Sequence, residues 1–340
     1  MKILVTGGLG FIGSHTVVEL QNKGFDVVVI DNLSNSNIKV LDGIEKISGI
    51  RPNFEQFDLK DKQLVHRFFN KYPDIGGMIH FAASKAVNES LLLPLKYYEN
   101  NIHTLIYLLQ EMKERSLQNF IFSSSCTVYG EPDKLPITED ERIKPALTAY
   151  GYTKQAGETI IADASRAHNI KCIALRYFNP IGAHPSAEIG ELPLGVPQNL
   201  IPFVTQTAAG IREQLSVFGD DYNTPDGTAI RDYIHVVDLA KAHVKAVNRM
   251  IESKQKKNVE IFNLGTGNGF SVLEVIKSLE RVANVKLNYK IVDRREGDVE
   301  AVYADTKFAN DELGWKAEKT LDEMMASAWK WEKALANNKK

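Results

Sequence analysis

Residues 1–13 read MKILVTGGLGFIG, and this stretch decides the fold. The apolar run Ile3–Val5 is followed by Gly7-Gly8-Leu9-Gly10-Phe11-Ile12-Gly13, spaced G-x-x-G-x-x-G, and then by helical composition over Gly13–Gln21. A strand that turns through glycines into a helix lets the backbone approach a pyrophosphate, and the first N–H groups of the helix face its charge. Gly7, Gly10, Phe11, Ile12 and Gly13 are therefore candidate cofactor residues, and Gly24 suits the helix C-cap. The next run, Val27–Ile30, is apolar throughout, as a strand buried on both faces requires. It ends in Asp31, 18 residues after Gly13. A carboxylate there accepts hydrogen bonds from the adenosine ribose hydroxyls and repels a 2′-phosphate, which selects NAD over NADP.

Outward from this unit, strand candidates Phe54–Phe57, Met78–Phe81, Phe120–Phe122 and Cys172–Leu175 alternate with helical patterns at Lys62–Asn70, Ile102–Arg115 and Tyr152–His168. The alternation predicts an α/β fold with a Rossmann-type doubly wound parallel sheet. Asp58 and Leu59 follow the third strand; a contact with adenine and a cap for the next helix are both open readings. Phe81-Ala82-Ala83 closes the fourth, where small residues admit either a cofactor or close helix packing. Beyond Asn179, proline and glycine become frequent up to Pro202, and a loop-rich segment is expected. Shorter signals follow at Asn199–Gly210, Val236–Ile251, Glu260–Leu264, Val272–Ala283 and Leu287–Val292, with an amphipathic helix over Leu321–Ala336. The expected division is an NAD-binding domain over 1–179 and a smaller C-terminal substrate lobe over 180–340, with segments near 230–260 returning to the first. The last four residues are expected to fray.

A chain of 340 residues is long enough for one large α/β unit or two lobes. Its net charge of −2 creates no basic field for nucleic acid or an anionic membrane. Two cysteines, Cys126 and Cys172, exclude a disulfide framework and a cysteine-based zinc site, and fit a reducing cytoplasm. The histidines are dispersed without metal-ligand spacing, so no metal is expected, and His235 reads as a hydrogen-bonded structural residue. The N-terminus lacks the apolar length of a signal peptide, and no run of about 20 apolar residues spans a bilayer. A cytoplasmic protein is expected.

The chemistry is carried by Tyr150-Gly151-Tyr152-Thr153-Lys154, spaced Y-x-x-x-K, which on a helix puts Tyr150 and Lys154 on one face. An ammonium beside a phenol favours the phenolate and is expected to lower its pKa, making Tyr150 a general base. About 25 residues upstream, Ser123-Ser124-Ser125-Cys126-Thr127 places hydroxyls at a strand end, where open α/β sheets bind ligands. Ser125 is placed to bridge a sugar hydroxyl and Tyr150.

Together the motifs GGxGxIG, DNL, HFA-x-x-K-A-V-x-E-S, SSS-x-T-VYG, Y-x-x-x-K, RYFN-P-x-GAHPS, RDYIHV-x-DLA, N-L-G-x-G and RREGD resemble the UDP-glucose 4-epimerases, extended short-chain dehydrogenases/reductases, over Lys2 to about Trp331. The resemblance implies C4 epimerisation of UDP-hexoses through a transient 4-keto sugar, with retained NAD. It implies Tyr150 as base, Ser125 as its partner and Lys154 as the residue that tunes Tyr150 and holds the nicotinamide ribose. It further assigns Asn32, Asn35, Ser36, Asp58, Leu59, Phe81, Ala82, Ala83, Lys85, Asn100, Ser123 and Tyr177 to the cofactor. Lys85, Phe178, Asn179, Asn199, Leu200, Phe218, Arg231, Tyr233, Arg295 and Asp298 fall to the UDP-sugar. The residue chemistry agrees in part, since Arg231 and Arg295 suit a diphosphate and Phe218 offers uracil an apolar face.

One departure is Val302, where the resemblance implies a bulky tyrosine; a smaller wall leaves room for a 2-acetamido group, so UDP-GlcNAc and UDP-GalNAc are expected as further substrates. Related enzymes imply a homodimer through Ile102–Arg115 and Tyr152–His168. Rival readings are a nucleotide-sugar 4,6-dehydratase or decarboxylase, a sugar dehydrogenase that releases NADH, and an NAD-binding sensor without chemistry. A dehydratase needs carboxylates directly after the active-site hydroxyl, where this chain has Cys126 and Thr127.

Overall fold

The computed structural model describes residues 1–295 and 298–337. The first half runs β1 (Lys2–Thr6), α1 (Phe11–Asn22), β2 (Asp26–Asp31), α2 (Val40–Ser48), β3 (Asn53–Gln56), α3 (Lys62–Lys71) and β4 (Ile75–His80). It continues through two short helices, α4 (Val87–Leu92) and α5 (Pro94–Tyr98), to α6 (Thr104–Glu114), β5 (Asn119–Ser125), α7 (Ala149–His168) and β6 (Lys171–Tyr177). The second half holds β7 (Asn179–Ile181), α8 (Leu200–Ala208), β8 (Leu215–Phe218), β9 (Ile230–His235), α9 (Val236–Ile251) and β10 (Val259–Leu264). It ends with β11 (Gly269–Ser271), α10 (Val272–Ala283), β12 (Tyr289–Val292), β13 (Ala301–Val302) and α11 (Leu321–Asn337). The last three residues, and with them most of the tail expected to fray, lie outside the described residues.

Seven parallel strands form the main sheet in the order β10-β6-β5-β4-β1-β2-β3. Apolar residues alternate between its faces as the two-residue strand period demands. Ile3, Val5, Val27 and Val29 pack under α1 and α9, whereas Leu4, Val28 and Ile30 pack on the opposite face with residues of α3, α6 and α7. The chain winds from β1 outward through β2 and β3, then returns to β4 on the other side of β1. This reversal opens a crevice at the carboxyl ends of β1 and β4, where doubly wound sheets bind ligands.

α9 packs on α1, and β10 pairs with β6 at the sheet edge. The remaining strands form smaller sheets: β9 pairs with β7, β11 and β13, and β12 pairs with β8. A separate core of Val204, Val275, Ile276, Leu279, Met324 and Met325 joins α8, α10 and α11. Ser271 and Glu274 form a capping box that starts α10. Both cysteines are free thiols. Among the described residues no helix is long and apolar enough to cross a membrane.

Candidate active site

The glycine loop fits against the exit of β4 without room for side chains. Gly7 has φ 67°, and a Cβ there would stand 2.8 Å from the Ala82 nitrogen. A Cβ on Gly13 would stand 2.3 Å from the Gly7 carbonyl oxygen. α1 begins at Phe11 behind Gly10, and among the described residues no side chain caps it, so its first N–H groups remain available to an anion. Asp31 is buried and ties this loop to β2. Its Oδ2 accepts from the Leu9 N–H at 3.1 Å, and its Oδ1 from the Leu33 N–H at 2.9 Å and the Ser36 hydroxyl at 2.8 Å. A carboxylate with about four lone-pair sites retains acceptor capacity for a ribose hydroxyl. This cradle fits a dinucleotide pyrophosphate and its adjoining ribose.

Asn32 donates to Asp58 at 3.1 Å, and Asn35 is exposed on the same turn. The capping role open to Asp58 falls instead to Asp61, which accepts from the Gln63 and Leu64 N–H groups at 3.0 Å each. The Leu59 side chain is buried in the core, which leaves its backbone to face a ligand.

On the other side of the crevice, β5 ends in Ser123-Ser124-Ser125 and α7 runs alongside. Thr148 caps α7 by accepting from the Gly151 N–H at 3.1 Å, so Tyr150 lies in the first turn and Lys154 one turn on. The Ser125 hydroxyl accepts from the Thr127 N–H at 3.2 Å and stands near enough to the Tyr150 phenol to pull its pKa down. Lys154 is buried and donates to the Ser123 carbonyl at 2.6 Å, with its ammonium 5.0 Å from the Phe122 ring centre. Burial pushes the Tyr150 phenol up to about 12, against the downward pull of Ser125. Burial likewise pulls Lys154 down to about 8, against the opposing field of Glu158. The expectation that Lys154 lowers the Tyr150 pKa is thus not met in the protein alone. The ammonium is bonded to a backbone carbonyl, and desolvation of the phenolate dominates.

Tyr177 is buried behind Ser123, and its hydroxyl meets His243 Nε2 at 2.5 Å. His243 Nδ1 faces the Leu239 carbonyl at 2.9 Å. A carbonyl only accepts, so Nδ1 carries the proton and Nε2 accepts from Tyr177. The His243 ring also packs 4.8 Å from Phe81. Asn100 donates to the Ser84 hydroxyl at 3.2 Å. Its neighbour Asn101 is buried, accepts from the Ser84 N–H at 2.8 Å and donates to Thr153 at 3.0 Å, fastening the loop after β4 to α7.

The residues expected at the sugar nucleotide gather on the smaller sheets. β13 places Val302 beside Arg231 of β9, and β7 places Asn179 beside Tyr233, which is buried. Arg231 pairs with Asp298. Phe218 is partly exposed at the end of β8, with the Arg295 guanidinium 4.4 Å above its ring. Glu296 and Gly297 of the RREGD stretch lie outside the described residues.

Two contacts join this group to the segments that follow β5 and β4. Phe178 packs with Val128, Tyr129, Ile137 and Ala304, and both Cys126 and Val302 lie against that cluster. Glu191 takes Lys85 at 3.6 Å and Asn199, the residue before Leu200 and α8, at 2.6 Å.

The role of Asp232 carried no signal in the sequence, whereas that of His235 did. Asp232 is fully buried and accepts from the Thr266 N–H and hydroxyl at 2.7 Å each and from the Gly267 and Ala304 N–H groups at 3.1 Å each. It pins the N-L-G-x-G turn and the end of β13 to β9. His235 accepts from the Val237 N–H at 3.1 Å and bonds Ser327 at 3.0 Å, a hydrogen-bonded structural role.

The family model described as GDP-mannose 4,6 dehydratase matches residues 4–328. The chain is 49% identical over 341 residues to the UDP-glucose 4-epimerase of Bacillus subtilis, covering 100% of this chain and 99% of that one. It is 48% identical over 334 residues to the UDP-glucose 4-epimerase of Haemophilus influenzae, covering 98% of each. The crystal structure of UDP-glucose 4-epimerase from Bifidobacterium longum in complex with NAD+ and UDP matches with a TM-score of 0.95 at 46% identity, covering 99% of each chain. The chain belongs to the UDP-glucose 4-epimerase family. It also belongs to the broader family that the dehydratase model describes. Its site departs from dehydratase chemistry directly after Ser125. Burial pushes the Cys126 thiol there up to about 12, and Thr127 follows, so these two positions hold no carboxylate pair.

Proposed function

We propose that this protein is an NAD-dependent UDP-hexose 4-epimerase. The observation that carries the reading is Tyr150 beside buried Lys154, which is fastened to the Ser123 carbonyl at the end of β5, across the crevice from the glycine cradle. Tyr150, through Ser125, takes the proton of the C4 hydroxyl and later returns it. Lys154 holds the nicotinamide ribose and favours the phenolate. A bound NAD supplies the acceptor and donor of the C4 hydride, and its positively charged ring opposes the burial that raises Tyr150. Arg231 and Arg295 hold the diphosphate, Asp298 the uridine ribose and Phe218 the uracil, so the 4-keto sugar turns without leaving. Incubation with UDP-galactose tests this reading: an epimerase accumulates UDP-glucose without free NADH, whereas a sugar dehydrogenase accumulates NADH in step with an oxidised sugar.

Val302 lies against the Phe178 cluster, as does Cys126, while Tyr303 approaches Gly269. This supports a wall open enough for a 2-acetamido group and a further UDP-GlcNAc/UDP-GalNAc activity.

A homodimer through the α6–α7 face is part of the same proposal. The adjoining α4–α5 segment exposes Leu91, Leu92, Leu93 and Leu95, next to Tyr98 and Tyr152, which meet edge to face. A contiguous apolar surface of this kind favours association. We assign residues 1–179, with 236–264, to the NAD-binding lobe and the remainder to the UDP-sugar lobe. The free thiols fit a cytoplasmic location.

A further inference from the structure

Three consecutive residues of β5 engage three successive turns of α7: Ser123 meets Lys154, Ser124 meets Glu158 and Ser125 meets Tyr150. Glu158 is the member that reaches both β5 and β6. It accepts from the Ser124 hydroxyl at 2.6 Å, and from Arg176 through Nε at 2.9 Å and Nη2 at 2.6 Å. Arg176 stands directly beside Ser124 in the β5–β6 register, and its guanidinium lies 4.7 Å from the Tyr129 ring centre. One carboxylate therefore fastens two neighbouring strands to the helix that carries Tyr150 and Lys154. A bidentate arginine fixes both the position and the direction of that carboxylate.

We propose that Glu158 is a positioning residue for the epimerisation proposed above: it holds β5 and α7 in the register that sets Tyr150 beside Ser125 and Lys154 against the Ser123 carbonyl. The groups facing Lys154 also bear on its charge. From α7 come Tyr150 and Glu158, and from β5 the Ser123 carbonyl and the Phe122 ring. β4 contributes His80, which burial pulls down to about 3 and so keeps neutral. Around Glu158 itself, β6 contributes Cys172, which burial pushes up and keeps neutral, and Arg176, which spends its charge on Glu158. Among the described residues, Glu158 is thus the anion whose field opposes the desolvation of Lys154.

Glu158→Gln alone strands a buried arginine and risks misfolding. The decisive variant is therefore the double substitution Glu158→Gln with Arg176→Met, which removes both charges. Compared with wild type, we expect retained NAD and a nearly unchanged KM for UDP-galactose. The basic limb of the kcat–pH profile moves down by about one unit, since an opposite charge at this range supports an ammonium by roughly that much. Ser124→Ala keeps both charges and is expected to keep the wild-type limb while lowering kcat. A double variant with the wild-type limb overturns the proposal, as does Ser124→Ala shifting the limb equally. If the wild-type enzyme itself fails to convert UDP-galactose, the functional reading has failed, which the wild-type control reports separately.

Discussion

The Lys154 ammonium lies 2.6 Å from the Ser123 carbonyl oxygen and 5.8 Å from the Tyr150 ring centre. The hydrogen bond of the lysine therefore fixes the helix to the strand. In the protein alone burial dominates the phenol, and Tyr150 stays protonated across the neutral range.

Acid should destabilise this fold before its carboxylates titrate. Burial holds His15 and His80 down to about 3 and His235 and His243 down to about 4, against an ordinary 6.5. Below 6.5 the unfolded chain binds more protons than the folded one. Stability is therefore fully present above that pH and is lost as the pH falls toward the folded values. Each histidine contributes a slope of about 1.4 kcal/mol per pH unit in this window. Urea titrations on either side of the ordinary histidine pKa measure the loss; a flat profile contradicts it.

Asp232→Ala leaves the buried Ala304 N–H and the partly buried Thr266 and Gly267 N–H groups without their acceptor, and the Thr266 hydroxyl with the Asn268 carbonyl alone. We expect a loss of about 3 kcal/mol or more in unfolding free energy. KM for the UDP-sugar should rise as well, because β9 and β13 carry Arg231 and Val302. A variant as stable as wild type by urea unfolding would show that the turn finds other partners.

The Rossmann half was legible because its strands are short apolar runs and its helices carry clear periods. The reading Phe54–Phe57 met β3 at Asn53–Gln56, and Val236–Ile251 and Val272–Ala283 match α9 and α10. The short helices α2, α4 and α5 and the strands β8, β9 and β13 went unread, since partly buried strands in small sheets lack an apolar run. Tyr150 and Lys154 were legible as a pair because helix geometry is local. Asn101, Glu158, Glu191, Asp232 and His243 were not, because each acts on partners brought close only by the tertiary fold.

Gly13→Ala puts a methyl group against the Gly7 carbonyl oxygen, at 2.3 Å before any relaxation. Opening the loop costs about 1–3 kcal/mol, the usual range for overpacking, and moves the pyrophosphate donors. The purified variant should hold much less NAD than wild type. Gly24→Ala is the control. Gly24 has φ 80° and open space around it, so strain is expected with cofactor content unchanged. Equal NAD content in Gly13→Ala and wild type contradicts the cradle.

Val302→Tyr should lower the UDP-GalNAc rate relative to the UDP-galactose rate by roughly 10–100-fold, the range one pocket residue supplies. Competition between the two sugars in one reaction reads this ratio directly. An unchanged ratio removes Val302 from the specificity wall.

The central claim is tested most directly by the conversion of UDP-galactose to UDP-glucose, without added cofactor, by wild type and Tyr150→Phe side by side. Wild type is expected to convert it. The variant should retain its NAD and fold but lose activity by about 100-fold or more, the scale of a positioned general base. No conversion by wild type, or a variant as fast as wild type, contradicts the account.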